Sequence, residues 1–185
     1  MPYIQVLLMS KFTRDSSFSV QVFEQFTGLV EQEWLVTVAQ TVLGGEFVES
    51  RHLGIVIADD STVSRLNRAY RGLDGTTDVL SFSPSLSGQY FGSSGEVASQ
   101  QESYPFVLPP SEEADLGELI ISYAQAKKQA AVAGHTLAKE IALLLAHGIH
   151  HLLGYDHENL TDAKKMKARE SIVMGWIEAK GLLDR

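Results

Sequence analysis

Apolar residues in EWLVTVAQTVLGG fall at 34, 35, 38, 39, 42 and 43. That spacing lines one face of a helix, which Gly44-Gly45 should end. HLGIVIA (His52 to Ala58) is of strand length and apolar after its first residue, and it predicts a buried strand. DDSTVSRLNRAYRG follows, with polar N-cap residues at Asp60-Ser61, apolar positions at 63, 66 and 70, and a stop at Gly72. It predicts a helix ending in Arg71. Thr77 to Phe82 and Leu116 to Ser122 read as strands, as does Tyr3 to Met9. YAQAKKQAAVAG predicts a helix closed by Gly134. TLAKEIALLLAHGIHHLLG, from about Thr136 to Leu153, is apolar nearly all round, as expected of a buried central helix. A C-terminal amphipathic helix should begin near Thr161-Asp162.

Two stretches carry no sustained period. Residues 10–28 are polar and read as a connection. Residues 83–115 are rich in Ser, Gly, Pro and acid, and a loop of that length is usually a functional lid or disordered. No repeat or linker divides the chain, so residues 1–185 are expected to form one domain. Four strands mixed with about five helices predict an α+β layer fold.

Composition narrows the function. The chain is 44% hydrophobic and 21% charged, ordinary values for a globular protein. It has no cysteine, which excludes disulfides and thiolate metal sites. No run is long and apolar enough for a membrane span. The start, MPYIQVLLMSKF, lacks the basic region of a signal peptide, so a cytoplasmic location is expected. The net charge of −8 argues against a wide nucleic-acid surface. Local basic patches remain at Lys127-Lys128 and at KKMKAR (Lys164 to Arg169).

Four of the six histidines stand in HGIHHLLGYDH, His147 to His157. His147 and His151 are four apart, so on a helix they lie one above the other. Gly154 can take the left-handed conformation that ends the helix and turns the chain. His157, three residues later, can then swing back towards the other two. Three neutral imidazoles suit a divalent cation such as Zn²⁺, with a fourth position left for water. His150 is a quarter turn from His151 and is expected to pack or to lie at the surface, not to ligate. The spacing H-x-x-x-H-x-x-G-x-x-H equals that of the metzincin proteases, which carry Glu directly after the first His as general base. Here that position is Gly148. Asp156 or Glu158 could serve instead, and nothing in the sequence chooses between them.

The run closely resembles the H-G-x-x-H-L-x-G-Y-D-H signature of the YbeY family of bacterial endoribonucleases, which act in ribosomal RNA maturation. LNRAYRGLDGTTDVLSF (Leu66 to Phe82) and LGELIIS resemble further blocks of that family, the second usually with Asp in place of Glu118. The MKARE run fits as well. His150 stands where the family has an apolar residue, and Ser83 interrupts its Phe-Pro. The resemblance implies a zincin-like α+β fold with a sheet of about four strands, its metal site at the end of the central helix. It implies one divalent ion, Zn²⁺ first, on His147, His151 and His157. It also implies single-stranded and ribosomal RNA as substrate, and the small ribosomal subunit and assembly factors as candidate partners. Arg71 matches the family's functional arginine, and a guanidinium can bind phosphate bidentately. Its place before Gly72 predicts a partly exposed side chain. The same residues are also compatible with two other functions: a metallohydrolase of peptides or small molecules, and a non-catalytic assembly factor stiffened by its metal.

Overall fold

The computed structural model describes residues 13–15, 17–46, 52–83, 90–92, 115–155 and 159–184. The elements in chain order are β1 (Thr13–Asp15), β2 (Phe18–Val22), α1 (Gln32–Gly45), β3 (His52–Ala58), α2 (Asp60–Arg71), β4 (Val79–Phe82), β5 (Tyr90–Gly92), β6 (Asp115–Ser122), α3 (Tyr123–Ala133), α4 (Leu137–Leu152) and α5 (Leu160–Ala179). The strands form one mixed sheet in the order β1-β2-β3-β6-β4-β5. β2, β3 and β6 run parallel, and β4 runs antiparallel to β6. Those four carry the sheet, and the three-residue strands β1 and β5 extend its edges. The α+β architecture with four main strands and five α-helices is as expected.

The N-terminal part differs from expectation. The strand expected at Tyr3 to Met9 lies outside the described residues, as does most of 83–115. Residues 10–28, expected to be a connection, contain β2. In F-S-V-Q-V the buried Phe18, Val20 and Val22 alternate with less buried Ser19 and Gln21, the period-2 pattern of a strand covered on one face.

The helix ends follow local chemistry. Asp59, one residue earlier than expected, caps α2 by accepting from the Thr62 N–H at 2.8 Å. Gly72 at φ +68° closes it in the left-handed region. Ser122 ends β6 and caps α3 with its hydroxyl, so strand passes straight into helix.

α4 is the buried central helix. Residues 140–142, 144–146 and 148–152 are all buried, between the sheet and helices α1, α3 and α5. Gly148 sets the depth of this seat. A Cβ there would lie 2.6 Å from Leu119 Cδ2 and 3.2 Å from Ser81 Oγ. Leu80 and Ile120, adjacent to Ser81 and Leu119 on their strands, pack instead with Val63 and Leu66 of α2. Successive strand residues point to opposite faces, so α2 and α4 cover opposite faces of the sheet. At Gly117, φ is +134° and an added Cβ would collide with the Phe82 carbonyl. This glycine follows a bulge, since His52 pairs with Asp115 while Leu53 pairs with Gly117.

Candidate metal centre

The last turns of α4 bring His147 and His151 together. Their Nε2 atoms are 3.1 Å apart, and the rings meet at 87° with centroids 4.5 Å apart. His151 is 1% exposed, and 22% of the His147 side chain is exposed.

Both Nδ1 atoms face oxygen acceptors. His147 Nδ1 donates to Glu170 Oε1 at 2.8 Å, and His151 Nδ1 donates to the Tyr155 carbonyl at 3.0 Å. A carbonyl or carboxylate only accepts, so either ring, when neutral, carries its hydrogen on Nδ1 and turns an Nε2 lone pair inward. Two lone pairs converging at this separation suit a shared cation. The separation is within reach of two bonds of about 2.0–2.1 Å, as both atoms would need in order to hold one zinc ion. A carboxylate or carbonyl behind each imidazole is also the usual support of a metal-ligating histidine.

The chain turns after α4 as its glycine predicts. Gly154 has φ +87°, its N–H donates to His151 O at 2.9 Å, and the Tyr155 N–H donates to His150 O at 3.0 Å. His157, the third expected ligand, and the alternative acids Asp156 and Glu158 lie outside the described residues. Among the described residues no cluster of three His, Asp or Glu groups forms a metal site.

His150 points away from the pair, as expected, and is 0% exposed. Its Nδ1 donates to Ala146 O at 2.7 Å, and its Nε2 lies 3.5 Å from Glu46 Oε1. Glu46 also accepts from the Tyr155 hydroxyl at 2.8 Å and approaches Arg169 Nε at 3.8 Å. The hydrogen bond to the Glu46 carboxylate, with burial, pushes the Tyr155 phenol above its ordinary value. Sequence reasoning missed Glu170 and Glu46. Glu170 stood in plain view in MKARE, but only the docking of α5 on α4 shows what it touches. Glu46 has no local signal.

Arg71 ends α2, as expected, yet it is 3% exposed and not partly exposed. Its Nη1 donates to Asn67 Oδ1 at 3.4 Å. Asn67 Nδ2 in turn donates to the carbonyls of Leu73 and Gly75 at 3.4 and 3.1 Å. The loop after Gly72 thus folds back along α2, and the burial of the arginine is a tertiary effect that helix-end position alone does not report. Of the basic patches, Lys164, Lys165 and Lys167 are exposed on α5, the helix that supplies Glu170.

Comparison with known proteins agrees across the chain. A family model described as Endoribonuclease YbeY matches residues 20–177. An Endoribonuclease YbeY of Dehalococcoides mccartyi (strain ATCC BAA-2266 / KCTC 15142 / 195) is 38% identical over 177 residues, covering 95% of this chain and 96% of that protein. Another, from Roseiflexus castenholzii, is 37% identical over 158 residues, covering 84% and 89%. The solution structure of TM1509 from Thermotoga maritima shares the fold, with a TM-score of 0.50 at 21% identity over 89% of this chain and 94% of that one.

Proposed function

The chain belongs to the Endoribonuclease YbeY family, and from that premise we propose that it cuts single-stranded RNA using one divalent ion held by His147, His151 and His157. It is an RNA hydrolase of ribosomal RNA processing. The observation that carries the metal reading is the pair of Nε2 atoms 3.1 Å apart, each backed by an acceptor on Nδ1. An all-imidazole donor set favours Zn²⁺ among common divalent ions. When bound, such an ion supplies Lewis-acid charge stabilisation and a more acidic water.

The chain's own residues supply the rest. Glu170 and the Tyr155 carbonyl fix the imidazole rings, so the Nε2 atoms need no reorganisation to act as ligands. The buried His151 limits water on the protein side, while the partly exposed His147 leaves an approach for substrate. Arg71 is the proposed phosphate-binding group. Its charge is permanent, and in a buried setting it is weakly screened, which strengthens its pull on an anion. The exposed lysines of α5 would offset the net charge of −8 where RNA approaches. The small ribosomal subunit and its assembly factors are the proposed partners, and the cytoplasm the proposed location. Among the described residues no helix is long and apolar enough to cross a membrane.

Hydrolysis of peptides fits less well. The metzincin base would stand at position 148, where even a methyl group would press on Leu119. The decisive assay offers single-stranded RNA, duplex RNA and casein to repurified protein, with and without chelator. Cleavage of single-stranded RNA alone, lost with chelator and restored by Zn²⁺, is expected. Casein cleavage, or RNA cleavage indifferent to chelator, would contradict the proposal.

A further inference from the structure

Glu46 breaks two local rules. It stands immediately after α1, at the negative end of the helix dipole, where a carboxylate is disfavoured. Its side chain is also only 7% exposed, and burying a carboxylate is costly unless it is paired. Its position is nonetheless firmly set. The preceding Gly45 lies against the Trp176 ring of α5, with no room for a Cβ. Among the described residues three groups meet the carboxylate: the Tyr155 hydroxyl at 2.8 Å, His150 Nε2 at 3.5 Å and Arg169 Nε at 3.8 Å. The hydroxyl contact is the only one at full hydrogen-bond distance, and it joins residues 109 apart in sequence. Tyr155 is also the residue whose carbonyl accepts from His151 Nδ1 at 3.0 Å. A single residue is thus held by Glu46 at its hydroxyl and holds His151 at its carbonyl.

We propose that Glu46 is a positioning residue of the metal centre, acting through the Tyr155 hydroxyl on the carbonyl that orients His151. This rests on the reading of His147 and His151 as metal ligands. Supporting groups one step behind a ligand typically change metal affinity by about 10- to 100-fold when removed. A tie between α1 and α4 with no bearing on the metal would change stability alone.

The test measures Zn²⁺ affinity of the metal-free protein by competition with a chromophoric chelator, alongside melting temperature. Tyr155→Phe removes only the hydroxyl and should weaken zinc binding about tenfold or more. Glu46→Ala should do the same. The double variant should bind no worse than either single one, because both break the same link. Glu46→Gln still offers an oxygen to the phenol and should bind near wild type. Should Glu46→Ala fail to fold, Tyr155→Phe decides alone. Wild-type zinc affinity in Tyr155→Phe, with only the melting temperature lowered, would overturn the proposal. A wild-type chain that binds no zinc would overturn the metal reading and this proposal together. Wild-type binding with unaffected variants would overturn this proposal alone.

Discussion

Replacing a helical glycine by alanine ordinarily stabilises a protein, and at Gly148 the sign should reverse. In the helix interior alanine is favoured by about 0.8–1.0 kcal/mol. A methyl at position 148, however, would meet Leu119 Cδ2 at 2.6 Å, Ser81 Oγ at 3.2 Å and Leu119 Cδ1 at 3.3 Å. Carbon contacts are comfortable only at about 3.5–4.0 Å, so Leu119 would have to retreat by about 1 Å or α4 lift from the sheet. Leu119 and Ser81 are 0% and 1% exposed, which leaves little slack. Overpacking of this kind costs about 1–3 kcal/mol. After the helix gain, a net loss of about 1 kcal/mol is expected, or about 2–4 °C in melting temperature for a chain of this size. Gly175 in α5 is the internal control, since an added Cβ there meets nothing within 4 Å. Thermal and urea unfolding of metal-free Gly148→Ala and Gly175→Ala should therefore move in opposite directions. If both variants are stabilised alike, α4 is not seated on Leu119, and the steric case against a catalytic acid at position 148 fails with it.

Gly117→Ala should be far worse, costing about 3 kcal/mol or more. It combines φ +134° with a collision against the immobile Phe82 carbonyl, and urea unfolding would show it. Arg71→Lys should lose most RNA cleavage at unchanged metal content. Because Arg71 is 3% exposed, it should also lose about 1–3 kcal/mol of stability, so rates are compared well below the melting temperature. Full activity in that variant would remove Arg71 from the site. Burial, with Asp115 nearby, raises the carboxyl pKa of Glu118. The folded state therefore holds this proton more tightly than the unfolded state. The stability it contributes is present below the unfolded value and is lost as pH rises through the folded one. Glu118→Gln should then be more stable than wild type at pH 7, with the gain vanishing in acid, as denaturant titrations at several pH values would reveal.

Local patterns and long-range contacts were unequally visible in the sequence. β3 was readable because the unbroken apolar run of six from Leu53 to Ala58 has no other simple home. α2 was readable because a cap, an apolar stripe and a terminal glycine agree. β2 escaped notice because its five-residue alternation sits among serines and polar neighbours. His147 and His151 were legible because a helical period alone brings them together. Glu170 and Glu46 were not, since their contacts depend on how α5 and α1 dock against α4. The burial of Arg71 is likewise a tertiary effect that its place at a helix end does not reveal.

Whether three imidazoles hold the ion on which RNA cleavage depends is decided by measuring metal content and single-stranded RNA cleavage on the same preparations of wild type, His147→Ala, His151→Ala and His157→Ala. About one zinc per wild-type chain is expected. Each variant should stay folded and lose zinc and cleavage together. A His157→Ala protein that keeps both its metal and its activity, or a wild type that cuts RNA equally well when stripped of metal, would contradict that reading.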